Sequence, residues 1–506
     1  MPKSMNAQRR LLITASVMLA TVMQTLDTTI ANVALPYIQG SLSAAQDQIS
    51  WVLTSYIVAA AIATPLTGWF VARFGRKHIF LLSVAGFTIS SMLCGAATGL
   101  GEIVTFRLLQ GVFGASLVPL SQAVILDINP PEGHGRAMAI WGAAIMIGPI
   151  LGPALGGWLT DHYNWRWVFY INVPVGIVAF AGMALFLDET ERDRAAPFDM
   201  FGFAFLSLGL AALQIMLDRG EQKDWFGSSE IVVEAALAII GFWVFAAHSA
   251  TAKRPFLEPG LLKDRNFVVA TLLMFAAGVV LYATLALLPP MLTLLNYPVV
   301  TTGLLTAPRG VTTMICMVLV GRLIGKVDVR LILAIGFVAM GVSLWEMTGY
   351  SPEMDRWPVI MSGLVQGVGL GFVIVPLSTA AFSTLAPALR TEGTALYSLM
   401  RNIGGSIGIS VSETLLQQNI QTSHQDLVQH ITPFNHALQM PAPLHYWSMH
   451  SVTGLATLDQ LANFQATIIA YLDDYKLMML VCFLVLPLVL LLRPTGRNAG
   501  AAAVLE

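Results

Sequence analysis

The sequence predicts an all-α integral membrane protein: two six-helix bundles in a pseudo-two-fold arrangement, with two further transmembrane helices inserted between them. Three observations predict it. Of 506 residues, 56% are hydrophobic and 11% charged, against about 25% charged in soluble domains. The apolar residues come in roughly fourteen blocks, each near the ~20 residues a helix needs to cross ~30 Å of hydrocarbon. Finally, the chain repeats itself once, half against half.

What the composition excludes comes next. A net charge of -2 offers no basis for nucleic-acid binding. Cys94, Cys316 and Cys482 lie far apart inside apolar blocks, so they read as small core residues, with neither metal spacing nor a disulfide framework. No nucleophile–base cluster, metal constellation or Gly-x-x-x-x-Gly-Lys-Ser/Thr phosphate loop is legible. The expectation is therefore no enzyme, no cofactor and no metal. The basic start resembles a signal peptide, but the apolar run after it continues for about 25 residues without a small-residue cleavage site, so it reads as a retained first span.

The expected spans are 11–36, 49–72, 78–98, 104–126, 137–158, 166–187, 199–217, 231–250, 267–291, 301–324, 331–350, 357–382, 395–417 and 476–492. They divide the chain into a cytoplasmic start (1–10), an N-terminal six-helix bundle (11–190), the inserted pair (191–255), spans 9–13 (256–418), a long outer loop (419–475), the last span (476–492) and a cytoplasmic tail (493–506). Orientation follows from Lys and Arg, which favour cytoplasmic loops. Lys3, Arg9, Arg10, Arg73, Arg76, Lys77, Arg136, Arg192, Arg194, Lys253, Arg254, Lys263, Arg265, Arg322, Lys326, Arg330, Arg390, Arg493 and Arg497 fall on one side; little beyond Arg166, Arg219, Lys223 and Arg356 falls on the other. Asn419 to Tyr475 holds neither Lys nor Arg. Both termini are expected in the cytoplasm, with the long loop outside.

The repeat is specific. Leu108-Leu109-Gln110-Gly111-Val112 followed by Val118-Pro119-Leu120-Ser121 returns as Leu364-Val365-Gln366-Gly367-Val368 followed by Val375-Pro376-Leu377-Ser378. The basic turn Gly68 to Ile79 echoes in Gly321 to Ile332, and Leu35-Pro36 in Leu288-Pro289, all at offsets near 255 residues. Parallel repeats about an axis along the membrane normal are a transporter architecture, with the path between the halves.

The halves differ where charge enters the membrane. Asp27 interrupts the first span, where the second half offers Leu281 or Tyr282; Arg107 opens the fourth, where the second half has Gly363. Asp27 lies about 24 Å above the start of its helix and Arg107 at a similar level. Gln24, Asp27, Thr28 and Asn32 form one polar stripe expected to face the bundle interior. A charge at membrane depth marks an ion path or relay, so Asp27 and Arg107 are the candidate proton-coupling pair, weighed against a static bridge. Gln24, Thr28, Asn32, Gln110, Gln366, Tyr282, Glu346 and Glu413 are candidates to line a substrate cavity, although Glu346 and Glu413 read first as wetted mouth residues. Arg309, Arg401 and Asn402 read as snorkelling side chains. Gly148, Pro149, Gly152, Pro153, Gly156 and Gly157 put small residues at four-residue spacing along span five, and Gly404, Gly405 and Gly408 do so in span thirteen; such stripes admit close helix approach and are expected at interfaces on which the halves rock.

These motifs carry a resemblance. Leu26 to Pro36, the basic loop Gly68 to Lys77 (Gly68, Arg73, Gly75, Arg76, Lys77), Arg107 to Gly111, Gly142 with Gly148 to Gly157, and Trp165 to Pro174 together resemble, over the whole chain, the fourteen-span drug:proton antiporter family of the major facilitator superfamily, the EmrB/QacA group. One departure stands out: Ala72 replaces the acid usual in the basic loop. The resemblance implies a major facilitator fold and proton-driven export of amphipathic lipophilic compounds across a bacterial inner membrane. It further implies a periplasmic adaptor of the EmrA kind and an outer-membrane channel of the TolC kind as partners. The alternative is an importer or facilitator for a small organic solute on the same scaffold. His424, His430, His436, His445 and His450 crowd the long loop, which reads as a polar docking surface before it reads as a zinc site.

Overall fold

The computed structural model describes residues 6–193, 198–432, 434–435 and 451–493. His436, His445 and His450, with Lys3, Arg194 and Arg497, lie outside the described residues. Among the described residues the regular structure is helical, apart from one isolated bridge between Ile324 and Val327.

Helix α1 is Ala7–Leu42; α2 is Trp51–Ala63 continued by Leu66–Phe74; α3 is Arg76–Ala96; α4 is Leu100–Gly114 continued by Leu117–Ile128. Helix α5 is His134–Ile145 continued by Ile147–His162, and α6 is Trp167–Tyr170 continued by Asn172–Phe186. The inserted pair is α7, Met200–Arg219, and α8, Ser229–Thr251. The second half comprises α9, Arg265–Leu294; α10, Val299–Leu323; α11, Val329–Met347; α12, Arg356–Ser383; α13, Arg390–Gln429; and α14, Val452–Val489. Polar caps start several of them: Asp199, Asp264 and Ser451 accept the backbone N–H three residues on in α7, α9 and α14, which satisfies donors that hydrocarbon would leave bare.

Eleven of these spans among the described residues are long and apolar enough to cross a membrane, and α2 makes a twelfth when its two segments, bent by 56°, count as one. The remaining two, α13 and α14, are more polar. Arg401 and Asn402 interrupt α13, while Asp473, Asp474 and Lys476 precede the apolar end of α14. The long outer loop needs correction. Within 419–475, a helix over Leu455 to Tyr475 leading into the last span is the sequence's own expectation, and α14 indeed begins at Val452; what differs is that α13 runs on to Gln429, so most of the described part is a helical hairpin. His424 Nε2 and Asp459 Oδ1, 3.0 Å apart, tie its two arms together.

The repeat persists in packing. In the first half α5 lies along α1, and in the second α13 lies along α9. Gly111 of α4 packs on the Tyr56 carbonyl of α2 as Gly367 of α12 packs on the Arg309 carbonyl of α10. The glycine stripe of span five therefore serves a different interface from the expected one. A Cβ at Gly148 would come within 2.6 Å of the Thr25 backbone; Gly152 faces Thr29 and Gly156 faces Ile30 and Val33, all on α1 of the same half. Gly404 and Gly408 likewise meet the backbone of Phe275 and Val279 on α9, and Gly405 meets the Tyr282 ring. Gly157 has nothing within 4 Å and takes no part. Small residues sit where backbones touch, and the closest backbone contact is inside each half. Pro149 and Pro153 lie just past the break at Met146 that divides α5.

The halves meet where Gly135 of α5 abuts Gly321 and Ile324 of α10, where Gly142 faces Met317, and where α4 packs on α13. At this end, rich in arginine, Asp127 of α4 binds Arg76 of α3 at 2.7 Å and Arg390 of α13 at 2.9 Å. Helix α7 flanks both halves: Asp218 receives the Thr54 hydroxyl of α2, and Gln214 donates to Ser406 of α13 at 2.9 Å.

Candidate functional site

The buried line of α1 runs through Ala20, Met23, Asp27, Ile30, Ala34 and Ile38, the 3/4 spacing of one helix face. Asp27 is the one acid on that line, at 1% exposure. The expected polar stripe does not hold together. Gln24 flanks the line half-buried and donates to the Tyr56 hydroxyl at 3.0 Å, Thr28 bonds its own helix at Thr25, and Asn32 is exposed. Around the helix axis Gln24 lies about 60° and Asn32 about 140° from Asp27, which sits on the buried face.

Asp27 and Arg107 meet. Arg107 Nη1 lies 2.7 Å from Asp27 Oδ2 and 2.9 Å from Gln110 Oε1. Gln110, one turn on along α4, turns its amide back to Asp27 Oδ1 at 2.9 Å. Asn172, which opens the longer segment of α6, adds a third donor to the carboxylate at 2.7 Å and anchors on Ser91 at 2.9 Å. Arg107 Nε reaches the Val52 carbonyl at 3.2 Å, and its guanidinium lies over the rings of Tyr56, at 4.6 Å, and Phe169, at 5.6 Å. The Asp27 carboxylate of α1 thus accepts from Arg107 and Gln110 of α4 and from Asn172 of α6; desolvation demands that such a buried pair be fully bonded.

Sequence reasoning placed Gln110 in a substrate cavity; the structure places it inside the charge network, fully buried. It missed Asn172, Tyr56 and Ser91, although Asn172 lies within the Trp165 to Pro174 motif. The counterpart of Asp27 also shifts. Gln366 Nε2 reaches Thr284 Oγ1 at 3.4 Å, as Gln110 reaches Asp27, so hydrogen-bond register makes Thr284 the equivalent residue rather than Leu281 or Tyr282. Nor is buried arginine confined to the first half. Arg309, expected to snorkel, is 9% exposed and donates to Gln366 Oε1 at 3.0 Å, because α10 meets α12 at Gly363 and Gly367 and leaves room for it. Of the other cavity candidates, Tyr282 is half-buried against Gly405, Glu346 is half-buried and Glu413 is exposed; the structure does not gather them round one space. Asp474, just before the last expected span, is a fully buried residue of α14.

At the arginine-rich end, the turn from α2 to α3 needs φ +91° at Gly75, which favours glycine. Glu189 caps α3 from outside: its carboxylate accepts the Lys77 N–H at 3.0 Å and pairs with His78 and Arg192. Burial pulls its carboxyl up, but these hydrogen bonds outweigh that and hold it below the usual range. Lys77 Nζ donates to the Ala184 carbonyl at 2.7 Å, and Arg73 lies over Trp69 at 5.6 Å. Where Ala72 leaves the usual acid out, Gly68 lets Glu392 of α13 approach α2 from the other half: a Cβ at Gly68 would lie 3.1 Å from Glu392 Cβ. Among the described residues, no group of three His, Cys, Asp or Glu side chains is arranged to hold a metal.

Comparison with known proteins agrees with this geometry. A family described as the Major Facilitator Superfamily matches residues 17–409. The chain is 35% identical over 492 residues to the fatty acid resistance protein FarB of Neisseria gonorrhoeae, covering 96% of this chain and 97% of the relative. It is 36% identical to the multidrug export protein EmrB of Haemophilus influenzae, over 84% of each chain, and 34% identical to EmrB of Escherichia coli K12, over 86% and 85%. Among solved structures, the human organic anion transporter MFSD10 shares the fold at a TM-score of 0.60 and 15% identity, covering 94% of this chain and 99% of that one. The proton:xylose symporter XylE does so at 0.60 and 14%, covering 94% and 95%. The chain belongs to the major facilitator superfamily of multi-pass membrane transporters, among its EmrB-like members.

Proposed function

We propose that this chain is a drug:proton antiporter, exporting amphipathic lipophilic compounds across a bacterial inner membrane by alternating access. The Asp27–Arg107 pair is the observation that supports it: a buried carboxylate on α1, 2.7 Å from an arginine and held by groups from α4 and α6. A proton taken from outside neutralises Asp27, releases Arg107 and weakens any attraction for cationic cargo. The unbalanced site then favours rearrangement of α4 against α1 until the proton leaves inward. A membrane potential adds about 2.3 kcal/mol per charge per 100 mV. The relatives' names, multidrug export and fatty acid resistance, fit a cargo of this kind.

On this reading the chain crosses the membrane fourteen times with both termini in the cytoplasm, and the arginine-rich end with its Asp127 clamp is the cytoplasmic side, closed here. The hairpin formed by the outer parts of α13 and α14 then projects into the periplasm, where it offers a docking surface for an adaptor that continues to an outer-membrane channel. Everted vesicles energised by a pH gradient test the reading. A lipophilic dye should accumulate, an uncoupler should abolish the accumulation, and Asp27→Asn should insert normally yet lose it. Undiminished uptake by Asp27→Asn would end the coupling proposal.

A further inference from the structure

Three cations line one cavity at the arginine-rich end, and none of them has a counter-charge. The cavity, about 600 Å³, lies where the end of α2, the start of α7, the end of α8 and the segment before α9 meet. Lys253 and Arg254 come from the turn after α8 and Lys263 from the segment leading into α9; all three are exposed. Among the described residues none of the three forms an ion pair or a side-chain hydrogen bond. Two acids line the cavity as well. Asp199 is occupied: its carboxylate accepts the Gly202 N–H at 2.9 Å and the Phe256 N–H at 3.0 Å, and it pairs with His248. Those bonds fold the chain after α8 back onto the start of α7 and so shape the concavity. Glu258 pairs with none of the cations among the described residues, and its N–H is turned away to Glu392 Oε1 at 2.6 Å. Three cations against two carboxylates leave the lining positive, and a concave wall of one sign gathers an anion. The rule that Lys and Arg collect on one side of a membrane explains their number at this end. It does not explain why two separate segments bring three of them to one cavity.

The surroundings identify the anion. Helix α8 is the barest of the spans: 17% of its apolar window is buried, and Val233, Ile239 and Trp243 stand exposed along it. It therefore faces lipid, and a cavity at its end lies at the level of that lipid's headgroups. Beside the lining residues in sequence, Met200, Phe201 and Leu262 are each more than half exposed, which continues the apolar surface to the cavity. Its aromatic wall is Trp69 and Phe256, each packed on the Phe198 ring at 4.6 and 6.1 Å between centroids; indole rings favour the headgroup level. Cations for a phosphate beside apolar surface for its chains suit a phospholipid, and basic pockets at span ends hold anionic headgroups. We propose that this cavity binds the phosphate of an anionic phospholipid, with Lys253, Arg254 and Lys263 as its counter-charges. The bound lipid would touch the first half, the inserted pair and the approach to the second half together. This goes beyond the export reading and does not rest on it.

The test is native mass spectrometry of the full chain released from detergent micelles, titrated with phosphatidylglycerol, phosphatidylcholine or glycerol 3-phosphate. Phosphatidylglycerol should bind about tenfold tighter than phosphatidylcholine, and glycerol 3-phosphate should not displace it. Lys253→Gln combined with Lys263→Gln should erase that preference, while Lys253→Arg combined with Lys263→Arg keeps it. Arg322→Gln combined with Lys326→Gln removes as much charge from the same end outside the cavity and should leave the preference in place. Equal binding of the two lipids by the unmodified chain overturns the proposal without any variant. So does a preference that survives the loss of both cavity lysines, or one that the Arg322 and Lys326 pair abolishes as fully, which would make general surface charge its cause. Displacement by glycerol 3-phosphate would make this a site for a soluble phosphate and overturn the lipid assignment. No transport is measured, so a chain that binds the lipid and fails to pump in vesicles defeats the export reading alone.

Discussion

Asn172 Nδ2 sits 2.7 Å from Asp27 Oδ1, so a side chain from α6 completes a network that α1 and α4 begin. The carboxylate that the halves do not share is thus held from three helices of the first bundle. Removing the members of this network should not be equivalent. Asn172→Ala deletes one hydrogen bond to a charged group and should cost about 1.5–3 kcal/mol. Arg107→Ala leaves a buried carboxylate unpaired and should cost about 3–5 kcal/mol. Thermal unfolding of the purified variants reads both, and dye efflux should fall in the same order. Equal losses would mean that Asn172 carries as much of the site as the arginine.

Asp127 joins Arg76 of its own half to Arg390 of the other, across the closed end. These groups are partly exposed, so the clamp contributes about 1 kcal/mol. Either Asp127→Ala or Arg390→Ala should shift the population toward opening at this end about fivefold, and the double variant should add little to either. Spin-label distances between the ends of α4 and α13 measure it; additive effects would show that the pair does not act as one.

The glycines of α5 should divide cleanly. Gly148→Val forces a side chain into the Thr25 backbone of α1, since even a Cβ would lie 2.6 Å away, and should cost about 1–3 kcal/mol. Gly157→Ala has open space and should fall within about 0.5 kcal/mol of neutral. Thermal melts of the two variants separate packing from mere motif membership.

Asp474 lies two residues before the last expected span, fully buried, with neither carboxylate oxygen hydrogen-bonded among the described residues. Burial first, and then the charge of Asp473, push its carboxyl up to about 7. A raised carboxyl binds its proton more tightly folded than unfolded. Its neutral form therefore costs nothing at low pH, and stability falls as pH rises from the ordinary carboxylate range of 3.8 through about 7. Asp474→Asn should flatten that fall in melting temperature between about pH 4 and about pH 7. A slope unchanged by the substitution would assign the dependence elsewhere.

The membrane class, the helix order, the two-fold repeat and the similar depth of Asp27 and Arg107 were legible in the residues, because each rests on local arithmetic; that the two side chains touch came only from the packing of α1 against α4. Apolar run length sets a span, a recurring motif sets a repeat, and counting rise per residue sets the level of a charge. Direction of approach is a different matter. Whether Arg309 snorkels or turns inward depends on the room left by Gly363 and Gly367 on a helix more than fifty residues away. Whether the span-five glycines face the other half or α1 depends on how α5 is rotated, and Asn172 joins Asp27 only once α6 is packed beside α1. Sequence spacing names the face a residue shares with its neighbours on one helix; the rotation of that helix against the rest is settled by packing, and here packing chose which polar groups became the site.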